Sequence, residues 1–158
     1  MTTTPANPGP ATHSVRLLAA VASGMAEIPE SFHGLFERKT FAHVVTMFPN
    51  GMPHVSPVWV DYDAEDNRLL VNTEQHRQKT RNVERNPAVA ASMLDPDDPY
   101  RYLSVSGEVE EVTTEGAREH IAALSQRYVG GEYPGEIVTE RVLLRIRPER
   151  VFTSGDNE

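Results

Sequence analysis

Residues 73–87 read TEQHRQKTRNVERNP, and Arg77, Lys79, Arg81 and Arg85 stand there against Glu84 within ten residues. That local excess of positive charge sits in a chain of formal net charge −8, so it is not a trait of the whole surface. The chemistry it suits is the grip of an anion. The stretch follows an apolar run, RLLV, and has the pattern of a strand passing into a helix. A helix N-terminus offers free N–H groups and a partial positive charge, so a phosphate there is stabilised by backbone and dipole together. Arg77, Lys79 and Thr80 near the first turn would add charge-assisted hydrogen bonds. Arg77, Arg81 and Arg85, four apart, share one face; Lys79, Asn82 and Val83 define another, with Val83 facing the core. Charge and spacing alone fit a solvated helix with surface arginines equally well.

Other chemistries find less support. The chain has no cysteine, which excludes disulfides, thiolate metal sites and cysteine nucleophiles and fits a reducing cytoplasm. Its 6 histidines form no His-x-x-x-His or His-Glu-x-x-His pair, so no metal is expected. DPDDP at 95–99 lacks the glycine and distal glutamate of a calcium loop and reads as a solvated turn. SVSGEV at 104–109 lacks a nucleophile elbow, and no glycine-rich dinucleotide fingerprint occurs. An acidic chain with two lysines, Lys39 and Lys79, repels nucleic acid and anionic membranes. No apolar run approaches the roughly 18 residues of a membrane helix.

The elements that must position the basic stretch follow from periodicity. Residues 1–25 are expected to form a flexible leader, 26–154 one domain, and 155–158 a tail. RLLAAVASGMA at 16–26 imitates a signal peptide, but its apolar core is shorter than the usual span of about 7–15 residues. A short helix is expected over 28–39, with Phe32, Leu35 and Phe36 on one side. Strands are expected at 40–48, 52–63, 68–74, 88–95, 100–112 and 138–154. Asn50-Gly51 supplies the first turn. Pro53 and Pro57 lack N–H groups, so the second strand cannot be paired on both sides. Its backbone is free either for a ligand or simply as a bulged edge. Gly107 allows a bulge in the fifth strand. Helices are expected over 75–87, ended by Asn86-Pro87, and over 113–129 behind a threonine cap, with Ile121, Leu124 and Tyr128 inward. The sum is a mainly β, six-stranded antiparallel barrel with helical insertions.

GMPHVSPVWVDYDAEDNRLLVNTEQHRQKTRNVERNPAVAASMLD (51–95) resembles the split-barrel flavin-binding family that includes pyridoxamine 5′-phosphate oxidase. RQKTRN after the third strand, NP-VA into the fourth and YRYLSVSGEVEEV in the fifth resemble its F420-dependent branch. The similarity runs from about residue 31 to 153. It implies a homodimer with the cofactor in the groove between subunits. His54, Val55, Ser56, Pro57, Val58 and Trp59 would run beside the ring. Asn72 and Thr73 would lie near the cofactor tail, and Arg77, Gln78, Lys79 and Thr80 would take the phosphate. Asn82 would brace the loop, and Tyr100 and Tyr102 fall where relatives place aromatics near the groove. His54 is placed either to hand a proton to a reduced product or to serve as an ordinary strand-edge residue; no catalytic side chain is required.

Relatives that oxidise pyridoxamine phosphate carry a C-terminal segment with arginine and tryptophan. This chain ends RPERVFTSGDNE, and its one tryptophan is Trp59. The resemblance therefore implies F420, whose tail is polyanionic, with FMN as the alternative. The reaction expected is hydride transfer from the deazaflavin to a small electron-poor organic acceptor. An FMN oxidoreductase of the same fold, or a carrier that holds such a ligand without turnover, needs the same phosphate grip.

Overall fold

The structure, a computed structural model, describes residues 25–156 together with the strand Ser14–Arg16. Apart from that strand, the expected leader up to residue 24 lies outside the described residues, as do the last two residues of the tail.

Strand β1 is Ser14–Arg16, and a 3-10 helix covers Glu30–Glu37. β2 (Phe41–Met47) and β3 (Pro53–Trp59) form a hairpin in which Asn50 Oδ1 accepts from the Met52 N–H at 3.0 Å and Gly51 takes φ 84°. β4 (Asp61–Asp63), β5 (Arg68–Glu74), β6 (Ala88–Asp95), β7 (Asp98–Thr113) and β8 (Arg141–Ser154) complete the strands. α1 is Gln78–Arg85 and α2 is Ala117–Tyr128. The antiparallel sheet runs β3-β2-β6-β7-β8-β5-β4, with β1 added beside β7.

The expected second strand is divided at Val60, so the sheet path holds seven strands, not six. The cause is a side chain far away in sequence. Tyr128 of α2 places its hydroxyl against the Val60 N–H at 3.2 Å and the Val60 carbonyl at 3.3 Å, and it also donates to the Thr40 carbonyl. Val60 is fully buried. Because β3 and β4 are opposite edges of the sheet and Val60 alone joins them, the sheet has to curl until its edges meet. It closes as a split barrel.

The barrel interior holds Val44, Leu69, Val71, Met93, Leu103, Leu144 and Ile146, and Phe32, Leu35 and Phe36 pack into the same core. The helix carrying them is 3-10 where the spacing suggested an ordinary helix; it starts at Pro29 without a side-chain cap. α2 is entered through Gly116 at φ 72°, not through a threonine cap, because Thr113 ends β7 and its hydroxyl accepts from the Glu115 N–H. Ile121, Leu124 and Tyr128 point inward as their spacing requires. The pairing of β7 with β8 shifts register between Ser106 and Gly107, at the glycine singled out from the sequence.

Asp95 fastens the 3-10 helix to the β6–β7 turn. It accepts from Arg38 at 2.9 Å, from Arg101 at 3.1 Å and from the Asp97 N–H at 2.9 Å. The Arg38 hydrogen bond outweighs the opposing effect of burial and lowers the Asp95 pKa to about 2. A depressed carboxylate stabilises the fold above its unfolded pKa and loses that contribution as pH falls through the folded value. Asp95→Asn is therefore expected to lower stability at neutral pH, with the difference from wild type shrinking as pH falls from about 4 through about 2. Urea melts across that range would read it.

Candidate functional site

Above the Val60 corner, β3 and β5 diverge and leave a cleft of about 250 Å3. Pro57, Val58 and Trp59 line it from β3, Asn72 and Thr73 from β5, and Arg77 and Lys79 from the start of α1. Ile121, Tyr133 and Arg141 complete it. β3 is an edge strand, so alternate backbone groups along it have no sheet partner.

The turn from β5 into α1 is built by Thr80, whose hydroxyl donates to the Glu74 carbonyl at 2.8 Å, and by the Arg77 N–H, which donates to the same carbonyl at 3.1 Å. Residues 75–77 are thus a turn and the helix begins at Gln78, later than the sequence pattern suggested. It ends at Arg85, because Pro87 forces Asn86 into an extended conformation (φ −135°). Asn82 is fully buried and donates to Thr46 Oγ1 at 3.0 Å, tying α1 to β2. Val83 is buried in the core. The first-turn N–H groups of an α-helix lack intrahelical partners, and here they lie beside Arg77 and Lys79.

Arg141 opens β8 directly opposite Glu74 of β5. Its Nε donates to Asn72 Oδ1 at 2.9 Å, its guanidinium lies over the Tyr133 ring at 5.2 Å, and it is 5 % exposed. Glu74, 1 % exposed, accepts from the Val138 and Thr139 N–H groups at 2.7 Å each, which fastens the loop before β8 to β5. Its other oxygen, Oε2, has no hydrogen-bond partner and lies 3.8 Å from Arg141 Nη1. Burial pushes Glu74 upward, but the Thr139 and Val138 N–H groups and the Arg141 charge outweigh it, so it stays ionised below its ordinary value. Burial, then the charges of Arg77 and Arg141, depress Lys79. Burial also depresses Arg141, against the pull of Tyr133 and Glu74. Neither Arg77 nor Lys79 enters an ion pair among the described residues. Three cations therefore crowd one cleft against the single carboxylate of Glu74, an arrangement relieved by an incoming anion.

Of the residues singled out from the sequence, Pro57, Val58, Trp59, Asn72, Thr73, Arg77 and Lys79 meet in this cleft. His54 and Ser56 lie further along β3, each with a buried side-chain atom, Nδ1 and Oγ, that finds no partner. His54 packs edge-on against Phe48 at 5.3 Å. Val55 is exposed on the outer face of the sheet. Gln78 donates to Asn82 Oδ1 at 2.8 Å and accepts from Arg81, and fully buried Thr80 and Asn82 are committed to bracing α1. Tyr100, 83 % exposed, lies outside the cleft lining, and Tyr102 packs against Phe152. Arg141 and Tyr133 were not singled out, and Ile121 was expected only as a core residue of α2. The signal for Arg141 was an arginine immediately before three core residues, Val142, Leu143 and Leu144.

A split barrel with a cationic cleft along one open edge has the donors that suit an anionic ligand. The chain matches the pyridoxamine 5′-phosphate oxidase family over residues 28–155, and it belongs to that family. Among solved structures it is similar to an F420 reductase at 37 % identity, covering 79 % of this chain and 98 % of that one, with a TM-score of 0.69. It is also similar to HupZ from Group A Streptococcus at 25 % identity, covering 83 % and 98 % of the two chains with a TM-score of 0.60. The fold alone is shared with the conserved hypothetical protein Rv2991 from Mycobacterium tuberculosis, at 20 % identity over 88 % and 91 % of the chains and a TM-score of 0.64. A search of curated proteins returns no match. No helix among the described residues is long and apolar enough to cross a membrane.

Proposed function

We propose that the protein is a homodimeric F420H2-dependent oxidoreductase that passes a hydride to a small electron-poor organic acceptor. The observation that carries this reading is the convergence of Arg77, Lys79 and Arg141 on one cleft beside the free edge of β3. The donor set fits the group. Guanidinium, ammonium and helix N–H donors are the partners of phosphate and carboxylate, and three cations suit a tail with several negative charges better than one phosphate. The 37 % identical neighbour described as an F420 reductase supports the same choice.

When bound, the deazaflavin supplies the hydride; orientation and dryness are the protein's part. Arg77 and Lys79 would hold the cofactor's tail, and the Pro57–Trp59 edge would offer its unpaired backbone groups to the ring. Trp59, stacked on Tyr128 at 4.9 Å, walls the cleft with a rigid aromatic pair and keeps water off it. Asn72 and Thr73 close the cleft at the end of β5.

At about 250 Å3 the cleft is smaller than the roughly 300–1,000 Å3 of a complete small-molecule site. A second subunit is the natural source of the remainder. The outer face of β2, β3 and β6 supports this. Its cross-strand neighbours Val55, Val45 and Ala90 make an uncharged row, and Phe41 and Leu94 stand exposed on the same sheet. His43 and Ser92 lie between them, so the face is uncharged and partly apolar, a composition that suits an interface. Val45→Glu is expected to convert a dimer into a monomer by light scattering and to weaken cofactor binding in parallel. A wild-type monomer would remove the shared groove.

Titration with F420 and with FMN tests the cofactor, and turnover of reduced F420 against a panel of acceptors tests the enzyme. Binding without turnover of any acceptor would make the protein a carrier.

A further inference from the structure

The orientation of Arg141 is set by a chain of hydrogen bonds whose polarity has only one solution. Arg141 Nε–H can only donate, so the atom of Asn72 facing it, at 2.9 Å, is the amide oxygen. The Ala117 carbonyl can only accept, so the atom facing it, at 2.7 Å, is Asn72 Nδ2. The same Nδ2 lies 3.1 Å from His120 Nδ1, which must therefore be bare. His120 Nε2 then carries the proton and donates to Asp61 Oδ2 at 3.0 Å. Burial opposes the charge on Asp61, but His120, the Tyr62 N–H and Arg127 together hold it ionised. His120 itself is 13 % exposed at the side chain and sits one residue before Ile121 of the cleft wall.

We infer that His120, as the neutral Nε2–H tautomer, is a positioning residue that aims Arg141 at the anionic ligand through Asn72, and that a proton on Nδ1 releases this aim. A protonated Nδ1 sets two donors, its own N–H and Asn72 Nδ2–H, against each other. Turning the Asn72 amide over relieves that conflict only by creating two others: Nδ2 against Arg141 Nε, and Oδ1 against the Ala117 carbonyl. Either way the Arg141 anchor is lost. The groups that bear on His120 are Asp61 on β4, Asn72 on β5, Arg141 on β8 and Arg127 on its own helix. Asp61 also accepts from Arg127 at 3.0 Å. The ligand grip is therefore weaker in acid, where a protonated imidazole and a well-aimed Arg141 exclude each other.

The inference rests on the proposed anion-binding role of the cleft for its ligand arm, and its structural arm needs no ligand. In the full chain, nitrogen-detected NMR of the imidazole and of the Arg141 Nε–H is followed from about pH 8 to 5.5, the range over which histidine changes charge. The expected result is a bare Nδ1 and a protected Arg141 Nε–H at the upper end, with both signals lost together as pH falls. In His120→Gln, an uncharged side chain that can both accept from Asn72 and donate to Asp61, the Arg141 signal should persist throughout.

In the ligand arm, F420 and FMN affinities are measured over the same range. Wild type should lose about tenfold or more on acidification, the worth of one charge-assisted hydrogen bond, and His120→Gln should lose distinctly less. An Arg141 Nε–H that stays protected while Nδ1 protonates would overturn the inference, and so would equal pH dependence in both proteins. Should neither cofactor bind at any pH, the proposed function fails and the Arg141 signal alone decides the inference. Should His120→Gln not fold, the wild-type NMR titration decides it.

Discussion

Replacing Arg77 and Lys79 together by alanine is expected to weaken cofactor binding by about 3 kcal/mol or more, roughly a hundredfold, while leaving the fold intact. Each charged hydrogen bond contributes about 1.5–3 kcal/mol, and about 1.4 kcal/mol is a factor of ten. Neither side chain is in an ion pair among the described residues, so truncation leaves no carboxylate stranded. The turn that carries them is held by Thr80 and Asn82, which the substitution does not touch. Arg141→Met differs, because it would strand the buried Glu74 charge and costs stability as well as affinity. Isothermal titration together with thermal melts separates the two effects. Unchanged affinity in the Arg77/Lys79 double variant would remove the tail from this cleft.

The largest effect on stability is expected at Gly107. A Cβ there would stand 2.0 Å from the Arg147 carbonyl oxygen and 3.2 Å from the Pro148 Cα, both backbone atoms of the paired strand. No side-chain rotation relieves that contact. β7 and β8 must separate where their register already shifts, in the middle of the barrel wall. Gly107→Ala is expected to cost about 4 kcal/mol or more, the range reserved for backbone disruption and core damage. That is a large part of the roughly 5–15 kcal/mol of a whole domain. Soluble expression with an unchanged urea midpoint would mean that β7 and β8 do not approach here as described.

How much of this was legible in the sequence differs by the range of the interaction involved. The barrel strands, the Asn-Gly hairpin, the Gly107 irregularity and the inward face of α2 all follow from spacing within a few residues. So does the basic turn after β5, since Arg77, Lys79 and Thr80 are neighbours in the chain. The Val60 break was not legible. Nothing local interrupts PHVSPVWVDYD; Tyr128, 68 residues on, fixes that corner with its hydroxyl. Arg141 was hidden for the same reason, because only the pairing of β5 with β8 brings it opposite Glu74. Thr80 and Asn82 sit in the motif, yet their side chains turn inward to hold α1, while Arg77 and Lys79 line the cleft. Periodicity could not tell a side chain that grips a ligand from one that grips the loop.

The account stands most directly on one titration: purified protein against F420 and against FMN, each followed by quenching of the cofactor's fluorescence and repeated with the Arg77/Lys79 double alanine variant. The account predicts tight binding of F420, weaker or no binding of FMN, and a loss of about a hundredfold or more for F420 in the variant. Tight binding of FMN alone would contradict the deazaflavin assignment. Binding of neither would contradict the claim that the cationic cleft of this split barrel holds a redox cofactor.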